Sequence, residues 1–233
     1  MRPGPPNRIC AGYVLWGSLL LVLVSCASEP TPADWQLNAK GALDRAMQAH
    51  LAGDSRVAAL EIEQARAQIA RTARVDLMGR AELAYCAARL ASLDFGACDA
   101  FEPLRSDAAE VERAYADFLL GRLDRPSIAL LPEHQRAVAE RGRNEAQDLL
   151  LLRNMADPLS RLVAAAVWLR VGRASDGVMS MAIETASAQG WRRPLLAWLT
   201  LQAQRAEQSV DRATQDRAGR RIRMLLDHGG PLR

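Results

Sequence analysis

The chain has 233 residues, of which 49% are hydrophobic and 24% are charged. Thirty Lys and Arg side chains stand against 27 Asp and Glu side chains, so the formal net charge is only +3. A balance this close to neutrality gives no evidence for nucleic-acid binding. The length is sufficient for a domain with a hydrophobic core.

The N-terminus has the order of segments that is typical of a secretory signal. Arg2 and Arg8 precede an apolar run over about 9–24, which is short for a membrane-spanning helix of about 20 apolar residues. The run ends in Leu-Val-Ser-Cys at positions 23–26, which resembles the lipobox of bacterial lipoproteins. The resemblance implies cleavage before Cys26 and acylation of Cys26, which anchors the protein in a membrane. A plain signal peptide and an uncleaved anchor are the alternatives.

Cleavage at this position removes Arg2 and Arg8, which lowers the formal net charge to +1. The second residue after the cysteine is Ser28 rather than aspartate, which in the lipoprotein sorting rule implies the outer membrane. We therefore expect four segments: a cleaved signal peptide (1–25), the lipidated cysteine with its tether (26–33), a single all-helical domain (34–228) and a tail (229–233).

The first two elements are predicted to form a helical hairpin. Gly53 and Ser55 lie between two apolar stripes with helical spacing, as a C-terminal glycine and an N-cap serine do. The stripes comprise Ala39, Leu43, Ala46, Met47, His50 and Leu51, and then Ala58, Ile62, Ala65 and Ile69.

The rest of the chain also has the spacing and the boundary residues of helices, and no strand pattern is present. Ser106 is expected to cap the fourth helix, and Pro132 to begin a long fifth helix that reaches about Asn154. The sequence therefore predicts an all-α protein of about nine helices. The third to seventh are expected over about 76–93, 106–121, 132–154, 158–172 and 175–190, the eighth from about 193–194, and the ninth over about 210–227.

Six residues of the first hairpin stand at offsets that resemble a tetratricopeptide repeat: Ala46, Gly53, Asp54, Ala58, Ile62 and Ala65. A second, partial match comprises Ala165, Trp168, Gly172 and Met181. Ala49 and Ala70 replace the usual aromatic residue and proline, and Gly177 and Glu184 replace alanines of the second match. The resemblance implies antiparallel hairpins in a right-handed array with a groove for a partner.

Two cysteines remain in the domain after Cys10 and Cys26 are set aside. Cys86 falls late in the third helix, and Cys98 follows a turn that can bring the chain back beside it. In an oxidising compartment an even number of cysteines favours a disulfide, worth about 3 kcal/mol in the chain-entropy model. The alternative is two separate buried thiols.

The sequence contains no catalytic or metal-ligand motif. His50, His134 and His228 are isolated, and His50 lies on an apolar stripe where a core histidine is expected. Glu61 and Glu63 point apart on a helix, so they cannot act as a general acid and base. We therefore predict a protein that is not an enzyme and that has no cofactor and no metal.

Two segments are candidate surfaces. Trp191, Arg192 and Arg193 have the side chains that are most enriched in binding hot spots, although Trp191 can equally pack across a helix start. Trp198 is expected in the core. The arginines of the last helix either complement its dipole or bind anionic lipid or cell-wall polymer; they are Arg217, Arg220, Arg221 and Arg223.

The leading hypothesis is a non-enzymatic scaffold, lipid-anchored in the inner leaflet of the outer membrane and facing the periplasm. Its expected partners are the membrane and an envelope protein, and no nucleic acid. The alternative is an envelope protein that binds or processes a small molecule or a glycan in a pocket between helices. A third hypothesis is a purely structural envelope protein.

Overall fold

The computed structural model of the protein describes residues 32–140 and 144–228, together with Met1 and Gly4. The predictions for the signal peptide, for Cys26 with most of its tether, and for the tail lie outside the described residues. The chain from Pro32 onward forms one unit. No helix among the described residues has the length and apolar character that crossing a membrane requires.

The described residues form ten α-helices and two short 3₁₀ segments, without strands, which confirms the all-α prediction. The 3₁₀ segments are Glu102–Leu104 and Pro126–Leu130. The α-helices are α1 (Asp34–Ala52), α2 (Ser55–Ala70), α3 (Val75–Ala91), α4 (Glu110–Leu119), α5 (Glu133–Ala139), α6 (Glu145–Asn154), α7 (Pro158–Arg170), α8 (Asp176–Ala188), α9 (Arg192–Gln208) and α10 (Arg212–His228).

Helices α1 and α2 form the predicted hairpin. Gly53 ends α1 in the left-handed conformation, with φ of 97°, and its N–H donates to the carbonyls of Ala49 and His50. The N-cap of α2 is Asp54 rather than the predicted Ser55, because the Asp54 carboxylate accepts the Val57 N–H at 3.1 Å. Small side chains are fully buried in the hairpin: Ala42, Ala46, Ala58 and Ala65.

The predicted start of the fourth helix at Ser106 is wrong. The N–H groups of Asp107 and Ala108 donate to the carbonyls three residues earlier, which continues the 3₁₀ geometry past Ser106. Helix α4 begins only at Glu110.

The predicted long helix from Pro132 to about Asn154 is two helices, α5 and α6. The backbone of Glu140 is extended, and Asn144 begins α6 with a capping box. Its side chain accepts the Gln147 N–H, and the Gln147 side chain accepts the Asn144 N–H, both at 3.0 Å. These reciprocal bonds favour a new helix start over a continued helix.

The core is centred on α3 and α7, which pack against each other. Helix α7 is buried over seven consecutive residues, 162–168. The indole N–H of Trp168 donates to the Val138 carbonyl at 3.0 Å, and that of Trp198 donates to the Ala91 carbonyl at 3.1 Å. Both tryptophans are fully buried, which confirms the prediction for Trp198.

Two contacts join helices that are distant in the chain. A linear repeat array places mainly neighbouring helices together, but here α3 packs on α7 and α1 packs on α9.

Helix α6 also approaches α8 closely at Gly177, where a Cβ atom would lie 3.1 Å from a Leu149 methyl carbon. The Leu149 side chain and that of Glu145, whose Oε1 would lie 2.6 Å away, would have to shift to admit the alanine that the repeat pattern has here.

The predicted pairing of Cys86 with Cys98 is confirmed: the two sulfur atoms lie at disulfide bonding distance, with the Cα atoms 5.6 Å apart. Cys86 lies near the end of α3, and Cys98 precedes the first 3₁₀ segment. The pair therefore holds the irregular chain of 92–109 against the core helix.

Candidate functional site

The candidate surface at Trp191, Arg192 and Arg193 is not an exposed patch. Trp191 is only 9% exposed and belongs to the core. Arg193 donates from Nε to the His50 carbonyl and from Nη2 to Ser55 Oγ, both at 2.7 Å. These bonds join the start of α9 to the α1–α2 hairpin, so the segment is a joint between helices.

Arg192 has a similar internal role at the other side of α9. Its Nη2 donates to the Leu225 carbonyl at 3.3 Å, in the last turns of α10. A cation at this place stabilises the negative end of the helix dipole. The joint therefore connects α9 with the first hairpin and with the end of α10.

The arginines in the middle of α10 make no ion pair among the described residues. The helix runs from Arg212 to His228, so Arg217, Arg220, Arg221 and Arg223 lie in its middle turns. Charge–dipole stabilisation is confined to the last turn, so the macrodipole does not account for these residues. Among the described residues, no carboxylate oxygen lies within 4.0 Å of their guanidinium nitrogens.

Among the described helices, α10 has the highest formal charge, and α7 and α9 each have a formal charge of +2. Five arginines and two aspartates give α10 a formal charge of +3, equal to that of the whole chain. The remainder of the sequence is therefore neutral overall.

A cleft of about 750 Å³ lies between α8, α9 and α10. Met179 of α8 contributes an apolar wall. We call this site the arginine cleft, after the three guanidinium groups that line it, Arg205 of α9 and Arg217 and Arg221 of α10. The other polar lining residues include Asp176, Ser180, Gln202, Asp211 and Thr214.

Local hydrogen bonds set the positions of these groups. Asp211 caps α10 by accepting the Thr214 N–H at 3.1 Å, and the Thr214 hydroxyl lowers the pKa of Asp211. Arg217 Nη2 donates to the same hydroxyl oxygen at 2.8 Å. Arg205 donates to the Ala174 carbonyl at 3.1 Å and contacts Asp176 at 3.4 Å. The cleft wall is therefore preorganised at its Arg205 and Arg217 sides.

Arg217 and Arg221 are one helical turn apart. Like charges at this spacing destabilise an isolated helix by about 0.2–0.5 kcal/mol. A bound carboxylate or another oxyanion relieves this repulsion through charge-assisted hydrogen bonds, which guanidinium groups make in a bidentate geometry. Anion binding is thus the chemistry that the site is equipped to perform.

The sequence offered only part of this site. The α10 arginines stand out because no glutamate is interspersed among them. Arg205, Gln202 and Ser180 give no such signal, because they join the cleft only through the packing of α8 and α9 on α10. Within the described residues, no group of three or more His, Cys, Asp or Glu side chains has the arrangement of a metal site.

Fold and site together define an all-α protein with a basic cleft between its last three helices. Comparison with protein-family models, with curated proteins and with solved structures finds no match for this chain.

Proposed function

We propose that the protein is a lipid-anchored, non-enzymatic interaction module of the cell envelope. In this proposal Cys26 is the acylated residue, and the helical domain faces the periplasm from the inner leaflet of the outer membrane. The arginine cleft docks an acidic segment of an envelope protein.

The observation that carries the docking proposal is the arginine face of α10, which has no carboxylate partner among the described residues. Met224 is 60% exposed and follows Arg220 and Arg221 by one helical turn. Arginine and methionine are both enriched in protein interfaces relative to the rest of the surface. A mixed cationic and apolar face fits an acidic peptide segment that also has apolar side chains.

The right-handed, tetratricopeptide-like arrangement of the hairpins is part of this proposal. Ala46, Ala58 and Ala65 support it, since they are buried at the positions where the repeat requires small residues. The contact of α1 with α9 adds a closure that a linear array lacks.

The anchor is tested by fractionation of cells that produce the full chain or its Cys26→Ala variant. We expect the unmodified chain in the outer-membrane fraction and the variant in the soluble periplasmic fraction. Equal recovery of both chains in the membrane pellet contradicts lipid anchoring through Cys26.

The docking site is tested by fluorescence titration of the full chain with a labelled peptide of alternating glutamate and leucine. The double variant Arg217→Glu/Arg221→Glu is expected to bind at least 10-fold more weakly, because two attractive charges become repulsive. The matched control is Arg56→Glu/Arg71→Glu, which makes the same charge change at exposed positions of the α2 region. Equal affinities of the two double variants contradict the proposal.

An acidic oligosaccharide is the alternative occupant, because Ser180 and Gln202 offer hydroxyl and amide groups to sugar hydroxyls. Met224→Ser separates the two occupants. We expect it to weaken peptide binding several-fold, since the peptide needs an apolar contact. The glycan-binding alternative is favoured if an oligogalacturonate binds tightly and the peptide does not bind. In that case Met224→Ser should leave the affinity for the oligogalacturonate unchanged.

A further inference from the structure

A second cavity lies on other helices, away from the arginine cleft. Its volume is about 520 Å³, within the range of small-molecule sites. Helices α3, α4 and α5 and the end of the second 3₁₀ segment form its walls. Aliphatic side chains, among them Leu83 and Leu130, cover much of the surface.

A buried carboxylate lines this cavity. Glu112 is only 7% exposed, and its Oε1 accepts the Arg80 Nε–H at 2.6 Å. Its other oxygen, Oε2, is buried and has no hydrogen-bond partner among the described residues. A buried carboxylate oxygen without a donor is costly, so this atom is a ready acceptor for a ligand N–H or O–H group.

Two guanidinium groups stand at the edge of the same cavity. Arg80 contacts Glu112 through Nε, and Arg136 donates from Nε to the Leu131 carbonyl at 2.8 Å. Within the described part of the chain, the terminal NH₂ groups of both arginines make no other hydrogen bond. Since Glu112 neutralises only one of the two charges, the cavity has a net positive charge and favours an anionic group.

The Tyr115 side chain completes the polar lining. Burial, with a smaller contribution from Asp157, raises the pKa of Tyr115 to about 12. The phenol is protonated at physiological pH, as an ordinary tyrosine is, and can donate a hydrogen bond.

From this arrangement we infer that the cavity binds a small carboxylic acid with an apolar body and a hydrogen-bond donor next to the carboxylate. Arg80, Arg136 and Tyr115 hold the carboxylate, and Glu112 Oε2 accepts the donor. The aliphatic wall contacts the apolar body. A free hydrophobic amino acid and the C-terminal residue of a peptide share this chemistry.

Calorimetric titration of the full chain in detergent tests the inference with four leucine-related probes. L-Leucine represents the free amino acid, and N-acetyl-L-leucine represents a peptide C-terminus. The compound 4-methylpentanoate lacks the donor, and L-leucinamide lacks the carboxylate. We expect at least one of the first two probes to bind, with each of the last two at least 10-fold weaker, as the loss of one charge-assisted hydrogen bond implies.

The preferred probe identifies the source of the ligand. Tighter binding of L-leucine indicates a free amino acid, whereas tighter binding of N-acetyl-L-leucine indicates a peptide terminus. Failure of both to bind at 10 mM overturns the inference. So does equal binding of 4-methylpentanoate or L-leucinamide, because the site then does not recognise the paired groups.

Variants assign the binding to this cavity. Tyr115→Phe removes only a hydroxyl group, so the fold is retained, and we expect at least 5-fold weaker binding. Arg136→Gln is expected to weaken binding by a similar or larger factor, whereas the control Tyr85→Phe, at a tyrosine outside the cavity lining, leaves the affinity unchanged. Unchanged affinity in both Tyr115→Phe and Arg136→Gln, with melting temperatures close to that of the unmodified chain, overturns the assignment.

Discussion

His50 is a buried residue whose protonation opposes folding. It is only 8% exposed, and its ring contacts the Tyr85 ring edge-on at 5.6 Å. Burial, and then the positive charge of Arg193, lowers the pKa of His50 from 6.5 to about 4. The sequence predicts a core or edge histidine with its hydrogen bonds satisfied; the burial is confirmed, but Nε2 of His50 has no hydrogen-bond partner among the described residues.

The lowered pKa predicts a loss of stability in acid. Well above pH 6.5 the residue is neutral in the folded and unfolded states, so it has no effect on stability. As the pH falls from 6.5 to 4, the unfolded chain binds a proton that the folded protein excludes, which destabilises the fold. At about 1.4 kcal/mol per pKa unit, the loss approaches roughly 3 kcal/mol.

Urea denaturation at pH 7.5 and pH 4.5 measures this loss. Between pH 7.5 and pH 4.5 the free energy of unfolding is expected to decrease in both proteins. The decrease should be roughly 2–3 kcal/mol smaller in His50→Leu than in the unmodified chain, because the variant has no buried imidazole to protonate. The control is His228→Gln, at an exposed position, which should retain the full pH dependence. An identical pH dependence in His50→Leu contradicts the prediction.

At the scale of helices, the turn between α9 and α10 determines how the arginine cleft is built. Val210 is 75% exposed and has a φ of 59°, in the left-handed region. A β-branched residue is strained there. Ser209 caps the end of α9, and Asp211 caps the start of α10. Val210 lies between the two caps, so its left-handed conformation turns the chain from one helix into the next.

Val210→Gly is expected to raise the free energy of unfolding by about 1 kcal/mol, because glycine adopts the left-handed conformation without a steric cost. The matched control is Val57→Gly, at an exposed helical position of α2, which should lower it by a few tenths of a kcal/mol, because glycine has a lower helix propensity than valine. Urea denaturation of both variants checks the opposite signs. A decrease in both variants shows that the turn is not strained.

Helices that depend on interactions between residues close in the sequence could be predicted, whereas features that depend on distant residues could not. The α1–α2 hairpin, α7 and the disulfide depend on local spacing and on caps, which can be recognised from residues such as Gly53 and Asp157. The division of α5 from α6 depends on the Asn144 capping box, which competes with a nearly continuous helical pattern. The arginine cleft could not be predicted as a whole, because residues such as Asp176 and Arg221 line the same cleft only through the tertiary packing of their helices.

At the scale of the whole molecule, Arg193 links the end of α1 to the start of α9. Arg193→Gln removes the bonds to the His50 carbonyl and Ser55 Oγ, and we expect a loss of about 1–3 kcal/mol in the free energy of unfolding at pH 7.5. Arg212→Gln, at an exposed position of α10, is the control and should change it by less than about 0.5 kcal/mol. Equal effects of the two variants contradict a role for Arg193 as the joint.

The same bond between Arg193 and the His50 carbonyl spans 143 residues of sequence. The first hairpin can form early, from local contacts, but the surface that it offers to α9 stays uncovered until almost all of the domain has emerged. Long-range closure of this kind slows folding and makes the two ends of the domain interdependent. A chain that is truncated before α9 therefore loses more than its last two helices: it also leaves its first hairpin undocked, as a target for proteases and chaperones.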